Sequence, residues 1–149
     1  MASFQYGFQK VVDLKTSEKS QAEWLLSQSL GVLSAEEQSL RQLLETKREW
    51  EQKLQEAAGN AVPLAQLQLI GQYLDHLQSC IANKTKDVQR AQKQVDGNRA
   101  NLAERMKDEK IWLKAKDHAF ERFCRAMRLK EQNELDELAA VRFVMPSAP

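Results

Sequence analysis

The sequence predicts an all-α protein: a long antiparallel two-helix coiled coil, an α-hairpin with an overhanging C-terminal helix. Three observations lead there. From Leu67 to Ala126 apolar residues recur alternately three and four apart, a 3.5-residue period that marks the narrow seam of a coiled coil rather than the wider stripe of a helix in a globule. One cluster of helix breakers, AAGNAVPL, interrupts the chain near its fortieth percentile. Finally, only 5 Gly and 3 Pro occur in 149 residues, and 29% of the chain is charged, so helix formers fill the space between few turns.

The second helix carries the clearer pattern. Its seam reads Leu67, Ile70, Leu74, Leu77, Ile81, Lys84, Val88, Ala91, Val95, Asn98, Leu102, Arg105, Glu109, Trp112, Lys116, Ala119, Phe123 and Ala126, with no proline inside it. Before the breakers, Phe4, Tyr6 and Phe8 lead into a helix over about 8–58. There Leu33, Glu36, Leu40, Leu43, Lys47, Trp50, Leu54 and Ala57 keep the same spacing. Leu26, Leu30 and Leu44 fall beside it and suggest a local change of phase. Serines and Gly31 weaken this helix relative to the second.

Gly59, Asn60 and Pro63 place the reversal at about 59–63. Gly or Asn can take the left-handed conformation that ends a helix, and Pro suits the first turn of the next. So short a connection makes the helices antiparallel neighbours. Trp50 should then face Tyr73, Leu40 should face Ile81, and Leu26 should face Val95. The whole of 1–149 reads as one coiled-coil hairpin domain, with helix two over about 64–141 and a frayed tail over 142–149.

The two helices differ in length. At 1.5 Å per residue the first spans about 75 Å and the second about 115 Å, so helix two should outrun its companion. In the overhang Phe120, Phe123, Met127, Leu129, Leu135, Leu138 and Val141 are expected to lack an intramolecular partner. A lone helix gains most of its stability from burying an apolar face, so these side chains point to a binding site.

Charge excludes several classes of function. The net charge is +1, from 22 basic and 21 acidic residues, which gives no global drive toward nucleic acid or anionic lipid. Locally, residues 101–130 hold nine Lys or Arg against five Asp or Glu, and Glu131, Glu134, Asp136 and Glu137 follow. The plain reading is a solvated face laced with i,i+4 pairs such as Glu121 with Arg125; the other is a partner surface. No nucleic-acid module accompanies the charge. No apolar run is long enough for a membrane span, and the opening MASFQYGFQK lacks the hydrophobic region of a secretory signal; a soluble protein without direct membrane insertion is expected.

Catalytic and metal chemistry find little support. No phosphate-binding Gly-Lys-Ser/Thr occurs. His76 and Cys80 share a helical face, but the hairpin sets Thr46 and Gln42 opposite them, so further ligands are missing. His118 and Cys124 point in different directions, and two cysteines so far apart make no disulfide framework. No enzyme activity, metal or cofactor is expected. Near the turn, Leu43, Trp50, Tyr73 and Leu77, with Leu44 and Leu69 on adjacent faces, offer more apolar area than a two-stranded seam covers, which makes that end a second candidate surface.

The opening FQYGFQKVVDLK is similar to the aromatic start and Gln-x-hydrophobic-hydrophobic-Asp-Leu helix entry of the FliJ family, and the ending NELDELAAVRF resembles its Leu-Asp-Glu-hydrophobic-Ala stretch. The resemblance implies a non-enzymatic cytoplasmic stalk, shaped like the coiled coil of a rotary ATPase γ subunit and peripheral to the membrane at the flagellar base. It implies binding to the export ATPase ring, FliI, to the export gate protein FlhA, and to export chaperones. Joined to the residues above, it sets Phe4, Phe8, Phe120, Arg122, Phe123, Arg125, Met127, Asp136 and Glu137 at the ATPase-facing end, and Leu43, Trp50, Tyr73 and Leu77 toward the gate. Rival readings are the stalk of a virulence-type III secretion system, a generic dimeric scaffold whose helices pair between chains, and a helical nucleic-acid binder.

Overall fold

The computed structural model describes residues 3–144. Two helices, α1 (Gln9–Gly59) and α2 (Leu64–Val144), pack against each other as an antiparallel hairpin. No strand occurs among the described residues. Helix α2 continues three residues past its expected end, and the rest of the expected tail, 145–149, lies outside the described residues. By contacts the chain divides into two units, each built from both helices: Ser20–Glu104, and Met1–Lys19 with Arg105–Pro149.

The reversal falls at Gly59–Pro63, but by a different device from the expected one. No residue among those described takes a positive φ. The last turn of α1 tightens instead, the Asn60 N–H donating to the Ala57 carbonyl at 3.3 Å and the Val62 N–H to the Asn60 carbonyl at 2.9 Å. Across the gap the Pro63 carbonyl accepts from the Gln66 and Leu67 N–H groups at 3.0 and 3.4 Å and opens α2. Proline is well placed there, since helix entry leaves its missing donor without consequence.

In α2, every seam position from Leu67 to Phe123 is buried or half-buried; Ala126 is exposed and Met127 turns inward in its place. The suspected phase change in α1 does not occur. Its seam runs unbroken from Val12 through Lys15, Lys19, Ala22, Leu26, Ser29 and Leu33 to Ala57, and each of these positions is at least half-buried. Leu26 belongs to the seam, whereas Leu30 and Leu44 lie on its flank and are exposed. Polar residues at seam positions concealed the period. Buried Ser29 satisfies its hydroxyl on the Leu26 carbonyl at 2.9 Å, so it occupies the seam without an unpaired polar atom.

In the Ser20–Glu104 unit, Leu33, Ala91 and fully buried Val95 form the core, with Leu26 and Val88 packed against it. Leu26 and Val95 thus meet as expected. Polar seam residues find partners across the interface: Lys84 Nζ donates to Glu36 at 3.0 Å, and the Asn98 amide donates to the Leu25 carbonyl at 3.2 Å. The Glu36 carboxylate beside it holds the Lys84 ammonium above its ordinary pKa.

The unit of Met1–Lys19 with Arg105–Pro149 repeats the arrangement. Lys19 pairs with Glu109 at 3.0 Å, Arg105 with Glu18 at 3.1 Å, and Lys15 approaches Asp108 at 4.0 Å. Hydrogen bonds from Lys19 and Thr16 hold Glu109 below the ordinary carboxylate pKa. A heptad slip would keep apolar residues in both seams but separate these partners, so the polar positions select one register.

Candidate functional site

Two surfaces collect the residues that the sequence singles out. The first lies in the unit of Met1–Lys19 with Arg105–Pro149. Residues 3–8 precede α1, whose first turn closes when the Gln9 N–H donates to the Tyr6 carbonyl and the Val11 and Val12 N–H groups donate to the Phe8 carbonyl. Their rings form a chain onto α2. Phe8 meets Trp112 at 5.8 Å between centroids, Tyr6 lies 5.8 Å from Phe8, and Phe4 stands 5.2 Å from Phe120 and 5.4 Å from Phe123.

Phe120 and Phe123 therefore do have an intramolecular partner, which corrects the expectation. A helical residue advances 1.5 Å, whereas an extended one advances up to about 3.3 Å. The non-helical residues ahead of α1 consequently reach further along α2 than a count of helical turns allows. The cover is partial: Phe120 is still 49% exposed, while Phe123 and Met127 are half-buried.

Beyond Met127 the cover ends. From Arg128 to Phe143 every residue of α2 is exposed. Leu129, Leu135, Leu138 and Val141 are between 54% and 63% exposed and Phe143 is 90% exposed. The uncovered length thus begins about ten residues later than expected. Arg122, Arg125 and Glu137 are exposed, and Asp136 accepts from the Gln132 amide at 3.1 Å. Glu121 approaches His118 at 3.8 Å rather than the expected Arg125.

The second surface lies in the Ser20–Glu104 unit beside the turn. Trp50 and Tyr73 meet edge to face at 4.8 Å, as the antiparallel register requires, and Lys53 sits 4.3 Å above the Trp50 ring. With Ala57, Gln66, Leu69 and Ile70 they line an open groove of about 460 Å³. Leu69 is well exposed on its rim, Leu43 is half-buried, and Leu77 is buried in the seam, so its side chain is not part of this surface. Lys53 was not singled out from the sequence, although its position one turn after Trp50 carries the signal. Trp112 was read only as a seam residue; its apposition to Phe8 could have been found by extending the register past the start of α1.

Cys80 Sγ and His76 Nε2 are 3.5 Å apart, and both cysteines are free thiols. Among the described residues no three His, Cys, Asp or Glu side chains converge as a metal site would need. No described helix is long and apolar enough to cross a membrane.

The chain is thus an all-α coiled-coil protein that exposes an aromatic cluster, an uncovered apolar helix end and an open groove. The chain belongs to the FliJ family: the model for the flagellar FliJ protein matches residues 4–146. Its members are structural proteins of type III export, and this chain is a coiled-coil stalk protein of that kind. Among solved structures, it is similar to that of a protein described as a YscO homolog, from Chlamydia trachomatis, with a TM-score of 0.66 at 15% sequence identity. The alignment covers 95% of this chain and 96% of that one. At such identity the likeness concerns the fold. No match is found among curated proteins.

Proposed function

We propose that this chain is a non-enzymatic stalk that binds the flagellar export ATPase FliI, promotes its ring, links the ring to the export gate protein FlhA and assists the recycling of export chaperones. It would act in the cytoplasm, held peripherally at the membrane of the flagellar base. The observation that carries the reading is the C-terminal part of α2, where Leu129, Leu135, Leu138, Val141 and Phe143 stand exposed on a helix with no second helix beside it. Fully burying one such side chain is worth roughly 1.5–3 kcal/mol, so a ring of subunits enclosing this end would gain enough to favour the assembled state. Phe4, Phe8, Phe120, Phe123 and Met127 extend the apolar surface, and Arg122, Arg125, Asp136 and Glu137 supply charges that fix orientation in the ring.

The groove at Trp50 and Tyr73 is the proposed contact for the gate, with Lys53 and Leu69 added and half-buried Leu43 two turns before Trp50 on α1. Leu77 supports that surface from within the seam.

The test is the ATP hydrolysis rate of the cognate export ATPase with and without this protein. Stimulation by the intact chain, and its loss when Leu135 and Leu138 are both changed to Ser with helicity retained by circular dichroism, is the expected result. Absence of stimulation by the intact, folded chain would refute the role.

A further inference from the structure

The side of α1 turned away from its seam is unlike the same side of α2. From 17 to 38 every position on this outward face of α1 is exposed and none is charged. Helix α2 instead carries exposed Lys86, Arg90, Lys93 and Asp96 on its outward face, as the solvated side of a coiled coil usually does. In the uncharged stretch Trp24 is 58% exposed. One heptad further stands Gly31, where an added Cβ would meet nothing within 4 Å and where no positive φ calls for glycine. Glycine weakens a helix interior, so neither the backbone nor the packing of a single hairpin accounts for it. Charge returns at the two ends of the face, with Lys10 and Asp13 before it and Arg41 and Glu45 after it. All four are exposed. Among the described residues Lys10, Arg41 and Glu45 make no ion pair or side-chain hydrogen bond, and Asp13 accepts only from Gln9 of its own helix.

We infer that this face is a self-association surface: two copies of the chain pair antiparallel along the outward side of α1, about a two-fold axis between Ser27 and Gln28. Lys10, Ser17, Trp24, Gly31, Gln38 and Glu45 recur every seventh residue and form the row furthest from the seam of this single continuous helix. In the antiparallel register Trp24 of each copy lies over Gly31 of the other, in space that no side chain fills, and Lys10 meets Glu45. Asp13 and Arg41 lie on one and the same flank of that row. An antiparallel two-fold sets each flank against the same flank of the other copy, so these two meet as well. Every contact occurs twice, giving four charge pairs and two Trp-over-Gly contacts. Sliding by a heptad sets either Trp24 or Gly31 opposite its own copy and takes Glu45 away from Lys10. A parallel pair sets Lys10 against Lys10 and Trp24 against Trp24. An uncharged centre holding an exposed tryptophan, with complementary charges at its rim, has the composition of an interface. The contact is small and is expected to be reversible, with its affinity falling as salt rises.

This inference goes beyond the export role and does not depend on it. The experiment uses the full-length chain with Cys80→Ser and Cys124→Ser, into which a single cysteine is introduced. Diamide takes up the two thiol hydrogens and electrons, and one disulfide forms. Ser27→Cys, beside the two-fold axis, is expected to yield a covalent dimer at least about tenfold faster than Gln89→Cys on the outward face of α2, because pairing raises the effective concentration of its thiols. Equal rates would overturn the register.

Sedimentation at matched concentrations provides the second arm. Gly31→Leu fits the open space of the single hairpin and favours helix, so thermal stability should not fall, yet it blocks the seat of Trp24 and should weaken the dimer at least about tenfold. Association equal to that of the parent chain would overturn the Trp24 contact. For charge exchange, one chain carries Lys10→Glu with Asp13→Arg and the other carries Arg41→Asp with Glu45→Lys. Each alone is expected to be monomeric where the parent chain dimerises, while an equimolar mixture regains the dimer because all four charge pairs return. A mixture that associates no better than its components would overturn the pairing. A parent chain that stays monomeric at low salt and submillimolar concentration would overturn a second copy as the occupant of this face.

Discussion

Replacing Phe4 by Ala should release the start of α1 without loosening the central core. The ring makes two aromatic contacts, at 5.2 Å to Phe120 and 5.4 Å to Phe123, and is half-buried between them. Aromatic pairs contribute about 0.5–1.5 kcal/mol each beyond the area they bury, and loss of half of a phenyl surface adds about 1 kcal/mol. Exposure of the pair to solvent lowers the aromatic share, so about 2 kcal/mol of local stability should go, close to a thirty-fold change in an opening equilibrium. Hydrogen exchange reads that quantity directly. The Gln9, Val11 and Val12 amides, which close the first turn on the Tyr6 and Phe8 carbonyls, should exchange about thirty-fold faster, while those of Leu33 and Val95 keep their protection. Phe4→Leu should restore part of the loss, since it retains burial but not the edge-to-face geometry. Unchanged exchange at the first turn, or equal acceleration at Val95, would show that the aromatic segment does not clamp this unit.

Val95→Ala removes two methyl groups from a fully buried position in the Leu33 and Ala91 cluster and should cost about 2 kcal/mol; an unchanged melting temperature by circular dichroism would contradict that placement of the core. Glu109, held below the ordinary carboxylate range by hydrogen bonds from Lys19 and Thr16, gives a stability contribution that is fully present above the unfolded carboxylate's pKa and is lost as pH falls through its lowered value. Glu109→Gln should therefore flatten the acid limb of stability, while Lys84, raised above its ordinary pKa by Glu36, acts oppositely and loses its contribution as pH rises through the raised value.

The fold was legible because each of its requirements leaves a local mark. The reversal shows as Gly59, Asn60 and Pro63, and the α2 seam shows as an apolar period. The α1 seam was harder to read because Lys15, Lys19, Ser29, Glu36 and Lys47 stand at positions where apolar residues mark the period. Lys15, Lys19, Glu36 and Lys47 have partners in the other helix, so their fitness for the seam is visible only once α2 is in place, whereas Ser29 turns back on the Leu26 carbonyl of its own helix. The closed-end surface was partly readable: Trp50 and Tyr73 follow from the register, whereas burial of Leu77 at 4% exposure depends on packing. Phe120 and Phe123 were misjudged because helical rise was applied to residues 3–8, which are not helical.

From the sequence alone came the two helices, their antiparallel order, the place of the turn and the family to which the ends of the chain correspond. Periodicity, breakers and terminal motifs are properties of neighbouring residues, so a one-dimensional reading captures them. Tertiary structure decided where cover stops along α2, which polar seam residues hold the register, and which apolar side chains remain exposed. Those outcomes depend on distances between residues far apart in the chain, such as Phe4 and Phe120, and on the advance per residue of a segment whose conformation only the folded chain fixes.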